Sequence, residues 1–152
     1  MENKNQFKKY LIISFIFLLV ALCAGVYFRE FTKFMGLGHE FTVLGLVHPH
    51  LLILGTVFTL LIGFFNVKLL LDDNKLVKVF TISYISSTGL ASLMLLIRGT
   101  LDVLIRTEKM NALSSGMDAM ISGISGLAHI ILGVSIVAIF IIWIKKFKEE
   151  TK

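Results

Sequence analysis

Three histidines and one arginine stand within or at the edge of apolar runs: His48, His50, His129 and Arg98. An ionisable group inside a bilayer is costly, so each is a functional candidate. Neutral imidazoles from two helices can ligate a haem iron from opposite faces, or hold zinc or copper. A glycine beside a ligand lets a flat macrocycle approach the helix, and Gly126 and Gly133 flank His129 in this way. The propionates of a haem need cations, which Arg98 or Arg106 can supply. The pattern therefore predicts a b-type haem with His129 and one or both of His48 and His50 as ligands, serving electron transfer with a redox partner, haem sensing or reaction with a small gas.

Two other readings compete. His39, Met110, Met117 and Met120 lie on the same side as the histidines, and thioethers with imidazoles suit Cu(I). Glu30 and Glu40 could serve zinc there. Alternatively the small residues serve only close packing, and Arg98 pairs with Asp102 at i,i+4 or reaches the headgroups. No Ser-His-Asp order, H-E-x-x-H or phosphate loop occurs. Asp118 reads as a favourable charge at a helix N-terminus. The single cysteine, Cys23, excludes a disulfide framework and is expected to be a small buried packing residue.

The elements that must position these groups follow from hydropathy. Hydrophobic residues make up 56% of the 152, with mean hydropathy +0.86, above the usual share of a soluble domain. They fall in four runs, about 10–28, 47–71, 79–104 and 120–144. Each is long enough to cross a bilayer. The expected fold is all-α: one integral membrane domain over residues 1–152, a four-helix bundle in the bacterial plasma membrane. The first run exceeds a signal-peptide core and lacks a following cleavage site, so it is read as a retained helix. Pro49 belongs to a first helical turn, and Trp143 to an interfacial belt.

Segments 1–9, 66–78 and 145–152 carry ten of the 15 lysines and arginines. The positive-inside rule therefore predicts both termini in the cytoplasm. The net charge of +5 is explained by these helix ends. No basic stripe interleaved with aromatics suggests nucleic acid.

Depth and facing refine the site. His129, His50 and Arg98 lie roughly 24, 27 and 30 Å along their helices from the inner lysines, at 1.5 Å per residue. All three fall in the outer third. At 100° per residue, Ser122, Ser125, Gly126, His129 and Gly133 share one stripe. His48 shares another with Gly55, Thr59, Gly63 and Asn66, and these polar faces are expected to point inward. His50 lies about 200° away in an unbroken helix. Depth favours His50 as the interior ligand, and the small-residue stripe favours His48. If one of them faces outward, that face and the Gly55 and Gly63 grooves suggest a homo-oligomer.

Arg29-Glu30-Phe31-Thr32-Lys33, Val47-His48-Pro49-His50-Leu51-Leu52-Ile53-Leu54-Gly55, Arg98-Gly99 and Gly123-Ile124-Ser125-Gly126-Leu127-Ala128-His129 together resemble an uncharacterised family of small bacterial four-span membrane proteins. The resemblance covers most of the chain, and His-x-His-Leu is its most distinctive piece. That pattern carries a threonine-like residue between the histidines, where this chain has Pro49. It implies no established activity. A looser resemblance is to the haem–copper oxidase and nitric oxide reductase superfamily, where membrane histidines hold haem near the outer side and arginines meet its propionates. It implies those parts for His48, His50, His129 and Arg98.

Overall fold

A computed structural model describes residues 2–38, 40–71 and 74–150. Four helices account for nearly all of them: α1 (Glu2–Phe34), α2 (Val43–Lys68), α3 (Lys75–Arg106) and α4 (Ser115–Glu150). All four are long and apolar enough to cross a membrane. Helices satisfy every mid-span backbone group within the segment, which the bilayer interior demands. They extend beyond the apolar runs because the polar flanks continue the same backbone ladder.

Their ends are set by local chemistry. The Asn74 side chain caps α3, accepting from the Leu76 and Val77 amides at 2.9 and 3.3 Å. The first three helices end alike, with a left-handed residue after the last turn: Gly36, Leu70 and Glu108. In each case the next amide reaches back five residues: Leu37 to Thr32, Leu71 to Asn66 and Lys109 to Leu104. This closes orphan carbonyls without further residues.

Neighbouring helices run antiparallel. Gly63 seats Tyr10 and Gly55 seats Phe17, so α1 and α2 pack closely; a Cβ at Gly55 would lie 2.7 Å from the Phe17 ring. Those two glycines are filled from within the chain and leave no groove for a second copy. Gly99 of α3 meets the Leu44 backbone just as closely. α4 packs mainly on α3 and meets α2 through long side chains.

The core divides in two. Near the termini, Ile62, Leu69, Val77, Tyr84, Leu132, Ile139 and Trp143 cluster. Near the 1–2 and 3–4 connections, Ala21, Leu44, Val47, Leu51 and Val103 do so. Trp143 is not an interfacial anchor: it is 5% exposed and donates to Asn66 Oδ1 at 3.0 Å, while Asn66 Nδ2 donates to the Tyr10 hydroxyl at 3.2 Å. The indole finds a buried amide, so the interior satisfies it better than the headgroup region would. Cys23 is exposed rather than buried. Ile82, Ile130, Val134 and many other apolar side chains also face outward, as a lipid-solvated surface requires.

Candidate functional site

α2 is irregular where it carries its histidines. It opens with a 3-10 turn, Val43–Leu46, so Pro49 lies beyond the first turn. A short α-helical piece holds Val47–His50, and a π-helical stretch, Leu51–Phe58, follows. Pro49 has no amide to donate to the preceding turn. π turns are uncommon and often lie at functional sites. Here one adjoins His50. The Tyr84 hydroxyl donates to the Leu54 carbonyl, tying the widened turn to α3.

The two α2 histidines face different helices. His48 turns to α1, its Nδ1 2.7 Å from the Ala21 carbonyl and its ring against Gly25. His50 turns to α4, where its ring meets that of His129: the centroids are 6.2 Å apart and the planes 79° from parallel. The stripe through His48, Gly55 and Gly63 is thus the α1 contact, and the opposite face carries the histidine pair.

All three imidazoles are held in one way. Nδ1 lies 3.0 Å from the Leu46 carbonyl in His50 and 2.7 Å from the Ser125 carbonyl in His129. A carbonyl only accepts, so a neutral ring keeps its proton on Nδ1. That leaves the Nε2 lone pair for a metal. His50 is half-buried and His129 exposed, so the pair opens toward the lipid side.

Gly126 and Gly133 lie along the same α4 stripe. A Cβ added at either would meet nothing within 4 Å among the described residues. They do not serve packing within the chain, unlike Gly55, Gly63 and Gly99. Above them, Arg98 reaches from α3 to α4, donating to Ser122 Oγ at 2.7 Å and pairing with Asp118 at 3.2 Å. It does not pair with Asp102, which instead binds Arg106 one turn on, at 3.0 Å. Arg106 also donates to the Phe41 carbonyl at 3.1 Å. The helix 3–4 crossing offers Arg98 a partner nearer than its own next turn. Asp118 is therefore an ion-pair partner as well as a first-turn acid.

For the metal reading, no group of three or more His, Cys, Asp or Glu side chains comes together among the described residues. His39 lies outside them. The sequence reading missed Gly25 as the seat of His48 and the Tyr10–Asn66–Trp143 chain. Only the antiparallel register of α1 and α2, with Tyr10 at Gly63 and Phe17 at Gly55, would have pointed to Gly25.

Residues 7–146 match the family model described as protein of unknown function (DUF2871). The chain belongs to that family, in agreement with the resemblance to an uncharacterised four-span family. No curated protein and no solved structure matches.

Proposed function

We propose that this member of the DUF2871 family binds a b-type haem between α2 and α4 through His50 and His129, and passes single electrons. The observation that carries the reading is the ring pair. Two imidazoles on opposite sides of one iron, each with a metal–nitrogen bond of about 2.0 Å, hold their centroids about 6 Å apart. The observed separation is 6.2 Å. A near-perpendicular angle suits this arrangement, because each ring stands upright on the macrocycle whatever its rotation.

The rest of the site supports it. Hydrogen bonds to the Leu46 and Ser125 carbonyls fix both rings with Nε2 directed away from their own helices. Gly126 and Gly133 leave the α4 surface flat beside His129. Arg98, anchored at Ser122, lies two turns from His129, about 10 Å of helix, and is the cation for a propionate. A haem held there would supply a one-electron couple, with His50 and His129 both as its protein ligands. That favours electron transfer with a redox partner over reaction with a gas. With both termini in the cytoplasm, as the lysine distribution directs, the pair sits in the outer half of the membrane.

The test is an absorbance spectrum of detergent-purified protein loaded with haem, with metal analysis of the same sample. The expected result is a Soret band lost in His50→Ala and in His129→Ala and kept in His48→Ala. A colourless protein after loading overturns the proposal. Copper or zinc without iron would replace it with the metal-site reading.

A further inference from the structure

α1 and α3 both start at the terminal end of the bundle, and there each presents the same spacing of side chains. On α1 it is Gln6, Lys9, Tyr10 and Ile13, and on α3 it is Lys78, Thr81, Ile82 and Ile85. Residues three, four and seven apart share one helix face. α1 packs on α2, and α3 mainly on α4, so the two faces leave a cavity of about 280 Å³ between them, lined by these side chains. That volume lies at the low end for ligand sites, which run to about 300–1,000 Å³.

The cavity is graded by depth. Lys9 and Lys78 are exposed and stand at its terminal end, one from each helix. Thr81 lies one turn deeper. It is 5% exposed, and its oxygen has no hydrogen-bond partner among the described residues. Hydroxyls in membrane helices commonly close onto the carbonyl a turn back, as those of Ser86 and Ser135 do here. That of Thr81 does not, and a buried polar atom left open calls for a partner. Deeper still, Ile13, Ile82 and Ile85 make the wall aliphatic. Ile82 is 67% exposed, so this half opens sideways to the bilayer. From Lys78 to Ile85 is about 10 Å of helix.

We infer that this cavity seats an anionic phospholipid from the leaflet at the terminal end, with its phosphodiester between Lys9 and Lys78 and one acyl chain along Ile13, Ile82 and Ile85. Cations, then a hydroxyl, then an aliphatic wall match the order in which a phospholipid presents phosphate, ester and hydrocarbon. A lysine holds phosphate as a point charge. The Thr81 hydroxyl donates to an ester carbonyl below the phosphate. Basic pockets between membrane helices on the cytoplasmic side are known seats for such headgroups. A zwitterionic headgroup brings an ammonium of its own, which the two lysines repel. A free inorganic anion would leave the aliphatic half of the cavity unused. None of the described histidines lines the cavity, so the inference stands whether or not a haem binds.

Native mass spectrometry of the purified full chain tests it, with phosphatidylglycerol and phosphatidylcholine of matched acyl chains titrated into separate detergent samples. Phosphatidylglycerol is expected to bind the more tightly, and equal affinity for the two lipids overturns the inference. Lys9→Gln and Lys78→Gln are each expected to weaken phosphatidylglycerol binding roughly fivefold. Lys8→Gln and Lys75→Gln remove exposed lysines from the same helix ends that do not line the cavity, and should leave binding unchanged. An equal loss there means that the basic end attracts anions at large, which overturns it. Excess inorganic phosphate, added as its ammonium salt, should not displace the lipid. Displacement would make this a site for a free anion and also overturns it. Should the lysine variants insert poorly, Ile82→Trp, which fills the aliphatic half from an exposed position, must show a loss of phosphatidylglycerol binding with both lysines in place.

Discussion

Gly126→Leu separates a glycine kept for a ligand from one kept for packing. A Cβ at Gly126 meets nothing within 4 Å, so the larger side chain displaces no neighbour. Replacing glycine inside a helix gains about 1 kcal/mol of helix propensity. The variant should therefore resist unfolding as well as the parent or slightly better. A macrocycle against α4 near His129 would meet the new side chain directly. Overpacking of that kind costs about 1–3 kcal/mol, a weakening of haem affinity of roughly five- to 150-fold at about 1.4 kcal/mol per decade. The assay is a haem titration followed at the Soret band, beside helicity measured against increasing SDS in the same detergent. Unchanged haem affinity would refute the placement of the macrocycle over this stripe. A loss of helix stability would refute the claim that the glycine is free of packing within the chain.

Gly55→Ala is the counterpart: its Cβ would sit 2.7 Å from the Phe17 ring, so SDS resistance should fall by about 1–3 kcal/mol. Asn66→Leu leaves the buried Trp143 N–H without its acceptor and should cost about 1–3 kcal/mol, read as an earlier unfolding midpoint. Arg98→Ala removes an exposed pair worth at most about 1 kcal/mol of stability, yet it should weaken haem binding in the titration above; unaltered affinity would free Arg98 of any role toward propionates. Single cysteines placed at Lys4 and Lys109, in a Cys23→Ser background, should react with a membrane-impermeant maleimide only at Lys109 in intact cells, and labelling at Lys4 instead would reverse the assigned orientation.

The four spans were legible because length and hydropathy are properties of each segment alone. Which residues share the polar stripe of α4 was legible too, since one uninterrupted helix fixes a common face, but its direction was not: expected to point inward, it leaves Ser122, Gly126, His129 and Gly133 exposed, because α4 packs on α3 through its other side. Facing on α2 was not. A 200° separation shows that His48 and His50 diverge, but which one meets α4 depends on where α1 lies, and glycine stripes attract a neighbouring helix as readily as a cofactor. Gly55 and Gly63 looked like places for a second copy, yet Phe17 and Tyr10 occupy them. Trp143 carried the marks of a headgroup anchor, and only its distant partner Asn66 explains its burial. The Arg98 pairing failed for the same reason: i,i+4 spacing is visible in a sequence, whereas the crossing that brings Asp118 nearer is not.

The ring pair is divided between the second helix and the last, with His129 near the middle of α4. Chains are made and inserted from the N-terminus. At about 5–20 residues per second, roughly 4–16 s separate the emergence of His50 from that of His129. Through that interval His50 has α1 beside its helix and no imidazole opposite it. Whatever the pair binds could be held by both rings only once α4 has followed. A product cut short before α4 would carry only one of the two rings.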